Sequence, residues 1–273
     1  MLTPTRELMG RPVGAFNVLH VETAEALVAA AERARLPVIL QISENCVAYH
    51  GALAPIARAT LAVAEASVVP VAVHLDHAES EALVREAVEL GFGSVMFDGS
   101  PLPDEENVAA TARVAAFAHD RDVYVEAELG RIGGKGGAHT PGVRTDPGEA
   151  AAFVAATGVD ALAVAVGSSH AMTERTAVLD LDLIGRLREA VGVPLVLHGS
   201  SGVPDETLVA AIRAGMRKIN VSTQLNKAFT GAVRDLLLAR PEVVDSRTYV
   251  AAGREALSSE AERLLRLFAG AGS

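Results

Sequence analysis

Residues 71–90 read VAVHLDHAESEALVREAVEL. The stretch opens on a β-branched apolar run and closes on an Ala/Leu/Glu/Arg pattern of helical period, so it predicts a strand over 71–75 and a helix over 80–90. Gly91 follows where the helix ends, in the position that favours glycine. One strand, one helix and a glycine stop make a single β/α unit. The same unit recurs to both sides. Strands are expected over residues 13–18, 38–42, 71–75, 94–97, 123–128, 161–166, 195–198 and 218–221. Helices are expected over 21–35, 52–67, 80–90, 104–119, 147–157, 180–191, 204–214 and 224–239, with a last one over 247–268. The first four strands and the seventh are nearly continuous apolar runs, the mark of parallel strands covered on both faces.

Punctuation agrees with this division. Pro37 and Pro194 each stand between a helix and a strand. Pro204, Asp205 and Glu206 suit a first helical turn, with proline leading and acids at the positive end of the helix dipole. Gly158, Gly192 and Gly215 fall at helix ends. Eight strand–helix units with no break between them predict an α/β fold, a (β/α)8 TIM barrel with an extra C-terminal helix, as one domain over 1–273. A doubly wound open sheet is the runner-up. Against it, no G-x-G-x-x-G follows the first strand, and the run Gly133, Gly134, Gly136, Gly137 lies in a long loop after the fifth.

Composition bounds the function. Half of the 273 residues are hydrophobic, which excludes a disordered chain. The net charge of −10 argues against broad nucleic-acid or anionic-membrane binding, though not against a small anionic ligand. Mean hydropathy is +0.28, yet Asp160 and Glu174 interrupt the most apolar region well short of the ~18 residues a membrane span needs. The single cysteine, Cys46, permits neither an intrachain disulfide nor a cysteine-based zinc site and fits a reducing compartment. With no signal-peptide core at the N-terminus, the expected location is cytoplasmic.

A TIM barrel builds its active site at the C-terminal ends of its strands. The reactive side chains there are His74, Asp76 and His77 after strand three, Asp98 and Ser100 after four, and Glu126 and Glu128 after five. Ser168, Ser169 and His170 follow strand six, His198 to Gly202 strand seven, and Asn220 to Thr223 strand eight. His77, His170 and His198 converge on one mouth, and three imidazoles with an open fourth position make a catalytic zinc site. Three independent hydrogen-bonding histidines are the alternative. Alternation gives His74 the parity of Asp76, so a buried structural role suits it. Alternation also turns Asp76 away from its neighbour His77, toward proton transfer rather than ligation, the alternative being a carboxylate that orients a histidine. His20, His50, His119 and His139 have no companions and are read as structural. The Gly/Ser-rich end of strand seven with the helix after it, and Asn220 to Thr223 after strand eight, offer backbone N–H groups to a phosphate. Tight turns and an N-cap at Ser222 or Thr223 are the alternative.

These segments resemble the class II, metal-dependent ketose-bisphosphate aldolases, the group acting on fructose-1,6-bisphosphate and tagatose-1,6-bisphosphate. The resemblance rests on Gly14-Ala15-Phe16-Asn17, His74-Leu75-Asp76-His77, Val95 through Ser100, Val125 through Gly130, Leu162 through Gly167, Pro194 through Ser201 and Lys218 through Thr223, in order and at barrel spacing. It implies His77, His170 and His198 as ligands of one catalytic zinc, and Asp76 as acid/base at the hydroxyl on C4. It implies a second or alternative cation position at Asp98 and Glu128. Ser43, Gly199, Ser200, Ser201, Asn220, Val221, Ser222 and Thr223 would hold the dihydroxyacetone-phosphate half, and a homodimer or homotetramer is implied as well. The sequence departs from the family in three places. Ala171, beside the second zinc histidine, replaces a glycine and puts a methyl group near the substrate. The loop between Gly130 and Arg144 carries Lys135 but no acid, where the family has an acidic pair. His20 replaces an asparagine.

Other functions remain open at this point. One is a Schiff-base lyase, for which Lys218 is the one lysine in a strand. Another is a metal-dependent sugar-phosphate epimerase or isomerase, and a third is a non-catalytic sugar-phosphate-binding subunit. A retro-aldol assay with and without chelator separates them.

Overall fold

The computed structural model describes residues 1–129, 144–170 and 172–272. Eight parallel strands pair in sequence order and close, β8 onto β1. They are β1 (Val13–Asn17), β2 (Val38–Ser43), β3 (Val71–Ala78), β4 (Ser94–Phe97), β5 (Tyr124–Glu128), β6 (Ala161–Ala163), β7 (Leu195–Leu197) and β8 (Met216–Val221). Around them run α1 (Thr5–Leu8), α2 (Val21–Ala34), α3 (Glu44–His50), α4 (Leu53–Ala66), α5 (Glu81–Glu89), α6 (Asp104–His119), α7 (Pro147–Thr157), α8 (Leu181–Ala190), α9 (Asp205–Ala214), α10 (Thr223–Ala239) and α11 (Ser246–Ala271). The expected TIM barrel with its C-terminal helix is present. No single helix among the described residues is long and apolar enough to cross a membrane.

Side-chain parity organises the barrel. The outward residues of the strands, such as Val38, Leu40, Val71, Val73 and Leu75, pack against the apolar stripes of the helices in one large core. The inward residues divide by height. At the N-terminal end Val13, Ala15, Ile39, Ala72, Tyr124, Ala161, Ala163 and Val196 fill the lumen, with Leu8 and Met9 beneath them. Small alanines dominate because eight converging strands leave little radial space. Two residues further along β1, β2, β3, β5 and β7 the same parity presents Asn17, Gln41, His74, Glu126 and His198, and β8 adds Lys218, so this part of the upper lumen is polar. These polar groups bond to one another across the barrel, as burial requires.

Several boundaries differ from expectation. α3 was not anticipated. Ser43 ends β2 and its Oγ accepts from Cys46 N at 3.3 Å, so the strand terminus doubles as a helix cap. The short helix α1 and a 3₁₀ turn over Ser200–Gly202 were likewise unforeseen. β6 stops at Ala163 rather than running to residue 166. Beyond it Ala165 exchanges hydrogen bonds with Thr145 instead of a strand neighbour, donating to Oγ1 at 2.8 Å and accepting from the Thr145 N–H at 3.0 Å. Pro204 stands just before α9, not as its first residue.

Candidate active site

Simple alternation along β3 would send His77 outward, since Ala72, His74 and Asp76 share the inward parity. A β-bulge intervenes. The β3–β4 register shifts between Leu75 and Ala78, and His77 takes φ +51°, a left-handed conformation uncommon outside glycine. The extra half-twist turns His77 into the mouth beside Asp76. The expectation that these two side chains face opposite ways is therefore corrected: both line the same cavity.

His77 meets two other histidines there. Its ring centroid lies 4.6 Å from that of His198 and 5.0 Å from that of His170, and the latter two are 5.6 Å apart. With Glu128, the three imidazoles offer four donor atoms, all within 4.8 Å of one another. Glu128 Oε2 is 3.2 Å from His198 Nδ1. A mixed set of three nitrogens and one carboxylate oxygen, converging from four elements, fits a divalent transition metal such as zinc.

The groups behind the set hold it in orientation. Asp98 Oδ2 is 2.8 Å from His77 Nδ1, and Oδ1 accepts from the Ser100 N–H at 3.2 Å and Oγ at 2.6 Å. Asp98 thus aims a ligand rather than joining the cluster, whereas Glu128 belongs to it. Glu126 Oε1 bonds His198 Nε2 at 3.0 Å, and Glu126 Oε2 accepts from Lys218 Nζ at 2.7 Å. His74 completes this buried chain, 3.4 Å from Lys218 Nζ and 2.8 Å from Ser94 Oγ. Burial and the neighbouring Lys218 charge lower the His74 pKa to about 3, so the ring is neutral. That is the structural role expected of it. For His198, burial opposes the charged form, but the hydrogen bonds its ring donates to the Glu126 and Glu128 carboxylates prevail and raise the pKa to about 9. A metal must displace that proton.

Asp76 is 3% exposed and accepts from Asn17 Nδ2 at 3.2 Å and Asn220 Nδ2 at 3.5 Å. Burial alone would raise its pKa. The positive field of His77 and Lys218 outweighs burial and holds the carboxyl below the usual aspartate range, so it is an ionised base at neutral pH.

The cavity above these groups has a volume of about 500 Å³. Of the residues expected to bind substrate, Ser43, Gly199, Ser201, Asn220, Ser222 and Thr223 line it. Two others present no side chain to it: the Ser200 hydroxyl donates to Leu197 O at 3.0 Å, and Val221 packs in the outer core. Ala171 lies outside the described residues, as do Lys135 and His139. Gly199 has φ +65°, and a Cβ there would come within 2.6 Å of Ser169 backbone atoms, so only glycine lets β7 end this close to the His170 segment. Ser222 stands at the N-cap position of α10, but its side chain makes no cap bond; the Gln224 N–H of the first turn donates instead to Ser201 Oγ at 3.1 Å. α9 does not contribute as expected. No residue of it lines the cavity, and Asp205 at its start pairs with Arg175 and Arg263.

The other described histidines, His20, His50 and His119, have structural partners. His20 Nδ1 is 3.4 Å from Thr23 Oγ1, His50 Nε2 is 2.8 Å from Leu19 O, and His119 Nε2 is 2.9 Å from Asp160. Lys218 is buried in its ion pair with Glu126, beneath the cavity rather than at its surface, which removes the strand lysine on which a Schiff-base mechanism depended. Sequence reasoning gave no role to Gln41 and none to Glu126 beyond its position. Gln41 donates to Asn17 Oδ1 at 2.9 Å and so orients one of the amides that hold Asp76. The signal for both was inward parity one layer below the strand ends.

Comparison with known proteins gives concordant results. A family model described as fructose-bisphosphate aldolase class-II matches residues 7–273. The fructose-bisphosphate aldolase of Geobacillus stearothermophilus is 40% identical over 264 residues, which cover 95% of this chain and 92% of that protein. Among solved structures, the YdjI aldolase of Escherichia coli K12 superposes with a TM-score of 0.88 at 31% identity over the whole of both chains. A fructose-bisphosphate aldolase from Campylobacter jejuni shares the fold, with a TM-score of 0.76 at 23% identity over 95% of this chain and 90% of that one.

Proposed function

Since the chain belongs to the class II fructose-bisphosphate aldolase family, and is therefore an aldolase, we propose that it reversibly cleaves a ketose phosphate to dihydroxyacetone phosphate and an aldehyde, with zinc as its metal. Fructose-1,6-bisphosphate and tagatose-1,6-bisphosphate are the first substrates to test, because the family resemblance points to them. The observation that carries the reading is the donor set of His77, His170, His198 and Glu128 beside the ionised Asp76.

His77, His170 and His198 would hold the metal, with Glu128 as fourth or alternative ligand. When bound, zinc supplies a Lewis acid for the substrate carbonyl and for charge that develops on the three-carbon half. Asp76 accepts the proton of the C4 hydroxyl while the C3–C4 bond breaks, and the bonding electron pair stays with C3. Asn17 and Asn220 fix the carboxylate for this transfer. Protonation at C3 completes dihydroxyacetone phosphate. The phosphate is read into the arc of Gly199, Ser201, Ser222 and Thr223, at the positive end of the α10 dipole, where the Gln224 N–H holds the Ser201 hydroxyl in place. We place the enzyme in the cytoplasm as a homodimer or homotetramer, in line with its single thiol and the family resemblance.

The test is a retro-aldol assay for dihydroxyacetone phosphate, run with and without chelator. Activity should disappear with the metal and return with zinc. Cleavage that survives complete metal removal would refute the metal-dependent mechanism.

A further inference from the structure

The arc proposed for the phosphate is tied to the C-terminal helix. Ser201 lines the cavity, and its Oγ accepts from the Gln224 N–H at 3.1 Å. That N–H is one of the first-turn donors of α10 that no helical carbonyl can satisfy. The bond occupies a lone pair of the hydroxyl and leaves the Ser201 proton for an acceptor in the cavity. The Gln224 side chain is anchored separately: its Nε2 donates to Glu260 Oε1 on α11. A carboxylate can only accept, so this partner fixes the amide with its nitrogen toward α11. Gln224 Oε1 is consequently buried without a hydrogen-bond partner among the described residues.

Glu260 is itself held. Arg263, one turn later on α11, donates to each of its oxygens at 2.9 Å. Arg263 also reaches Asp205 Oδ2 at 2.6 Å. Asp205 opens α9 and pairs with Arg175, whose Nε and Nη2 donate to Val203 O at 2.9 and 2.7 Å. The 3₁₀ turn over Ser200–Gly202 is therefore gripped at Ser201 through Gln224 and just beyond its end at Val203 through Arg175. Both grips lead back to Glu260 and Arg263.

Resting on the aldolase reading above, we propose that Glu260 is a positioning residue for phosphate binding: through the Gln224 side chain it sets the first turn of α10, and through that turn the Ser201 hydroxyl. The C-terminal helix is then part of the substrate-binding machinery, although no described residue of it lines the cavity.

The test uses the full-length zinc-loaded enzyme. Its readout is solvent-deuterium exchange into dihydroxyacetone phosphate, which needs no aldehyde and gives kcat and KM, with Kd from calorimetry. Glu260→Ala should raise KM and Kd about five- to tenfold, less than the loss of a whole hydrogen bond to a charged group, with kcat and zinc affinity within about twofold. Glu260→Gln keeps an acceptor oxygen for the Gln224 amide and should stay near the parent values. Gln224→Ala cuts the same link from its other end without removing a charge, and should reproduce the Glu260→Ala values even where that variant folds poorly. In a Ser201→Ala background Glu260→Ala should add no further loss, since residues acting through one another are not additive. An unmoved KM in both alanine variants, an equal loss in Glu260→Gln, or a full additional loss in the Ser201→Ala background would overturn the proposal. Exchange by the parent enzyme with an unmoved KM in the variants overturns the positioning role alone, whereas a parent enzyme without exchange overturns the aldolase reading and this inference together.

Discussion

Asp76 and Lys218 are both charges buried inside the barrel, and they differ in what compensates them. Asp76 is held by two neutral amides, which position the carboxylate and leave it basic. Lys218 is neutralised outright by Glu126. Substitution should therefore have opposite effects. Asp76→Ala should retain metal and lose about 10²–10⁴-fold in turnover, the usual contribution of a general acid–base group. Metal analysis alongside kcat checks this, and near-normal turnover would contradict the role. Lys218→Met should instead unfold the protein more readily, by about 3–5 kcal/mol, because it strands a buried carboxylate. Urea denaturation measures the loss, and a change below about 1 kcal/mol would show that Glu126 is compensated elsewhere.

At the scale of elements, the ends of the strands decide the chemistry. β7 ends against the segment that carries His170, and the contact depends on Gly199. Gly199→Ala should push the Ser169 backbone away and weaken metal binding by about 10–100-fold, the range typical when the support of a ligand is lost. A competition titration against a chromogenic chelator reads the affinity directly, and an unchanged value would refute the coupling. The strand ends also mark where the sequence was legible. Alternation along β3 correctly placed His74 and Asp76 inside, and the apolar runs located every strand. The bulge at His77 was not legible, because nothing in the residues around it announces a left-handed backbone at a histidine. α3 was hidden because Ser43 reads equally well as the last residue of a strand or the cap of a helix. β6 was read too long because Val164, Ala165 and Val166 have strand-like side chains, while the partner of Ala165 is Thr145, distant in sequence.

For the whole molecule, the metal would act as a clasp. The residues proposed to hold it stand at the ends of β3, β5 and β7 and in the segment after β6, so binding would tie half the circumference of the barrel together. At a free zinc concentration of a hundred times Kd, mass action adds about 2.7 kcal/mol of stability. The melting temperature should rise on zinc addition and fall with chelator, while His198→Ala should lose the response along with activity. A zinc-induced shift as large in that variant would point to binding elsewhere. The net charge of −10, so prominent in the composition, is uninformative about the mouth, where three histidines and the carboxylates beside them set the local chemistry. Division of labour by parity has a further consequence. Each strand carries two interleaved messages, one read by the helices and one by the lumen, and each is spelled in every second letter. Random substitution can thus revise the packing text without touching the catalytic one. A scaffold written this way can accumulate stability changes and new chemistry in separate columns of the same sequence.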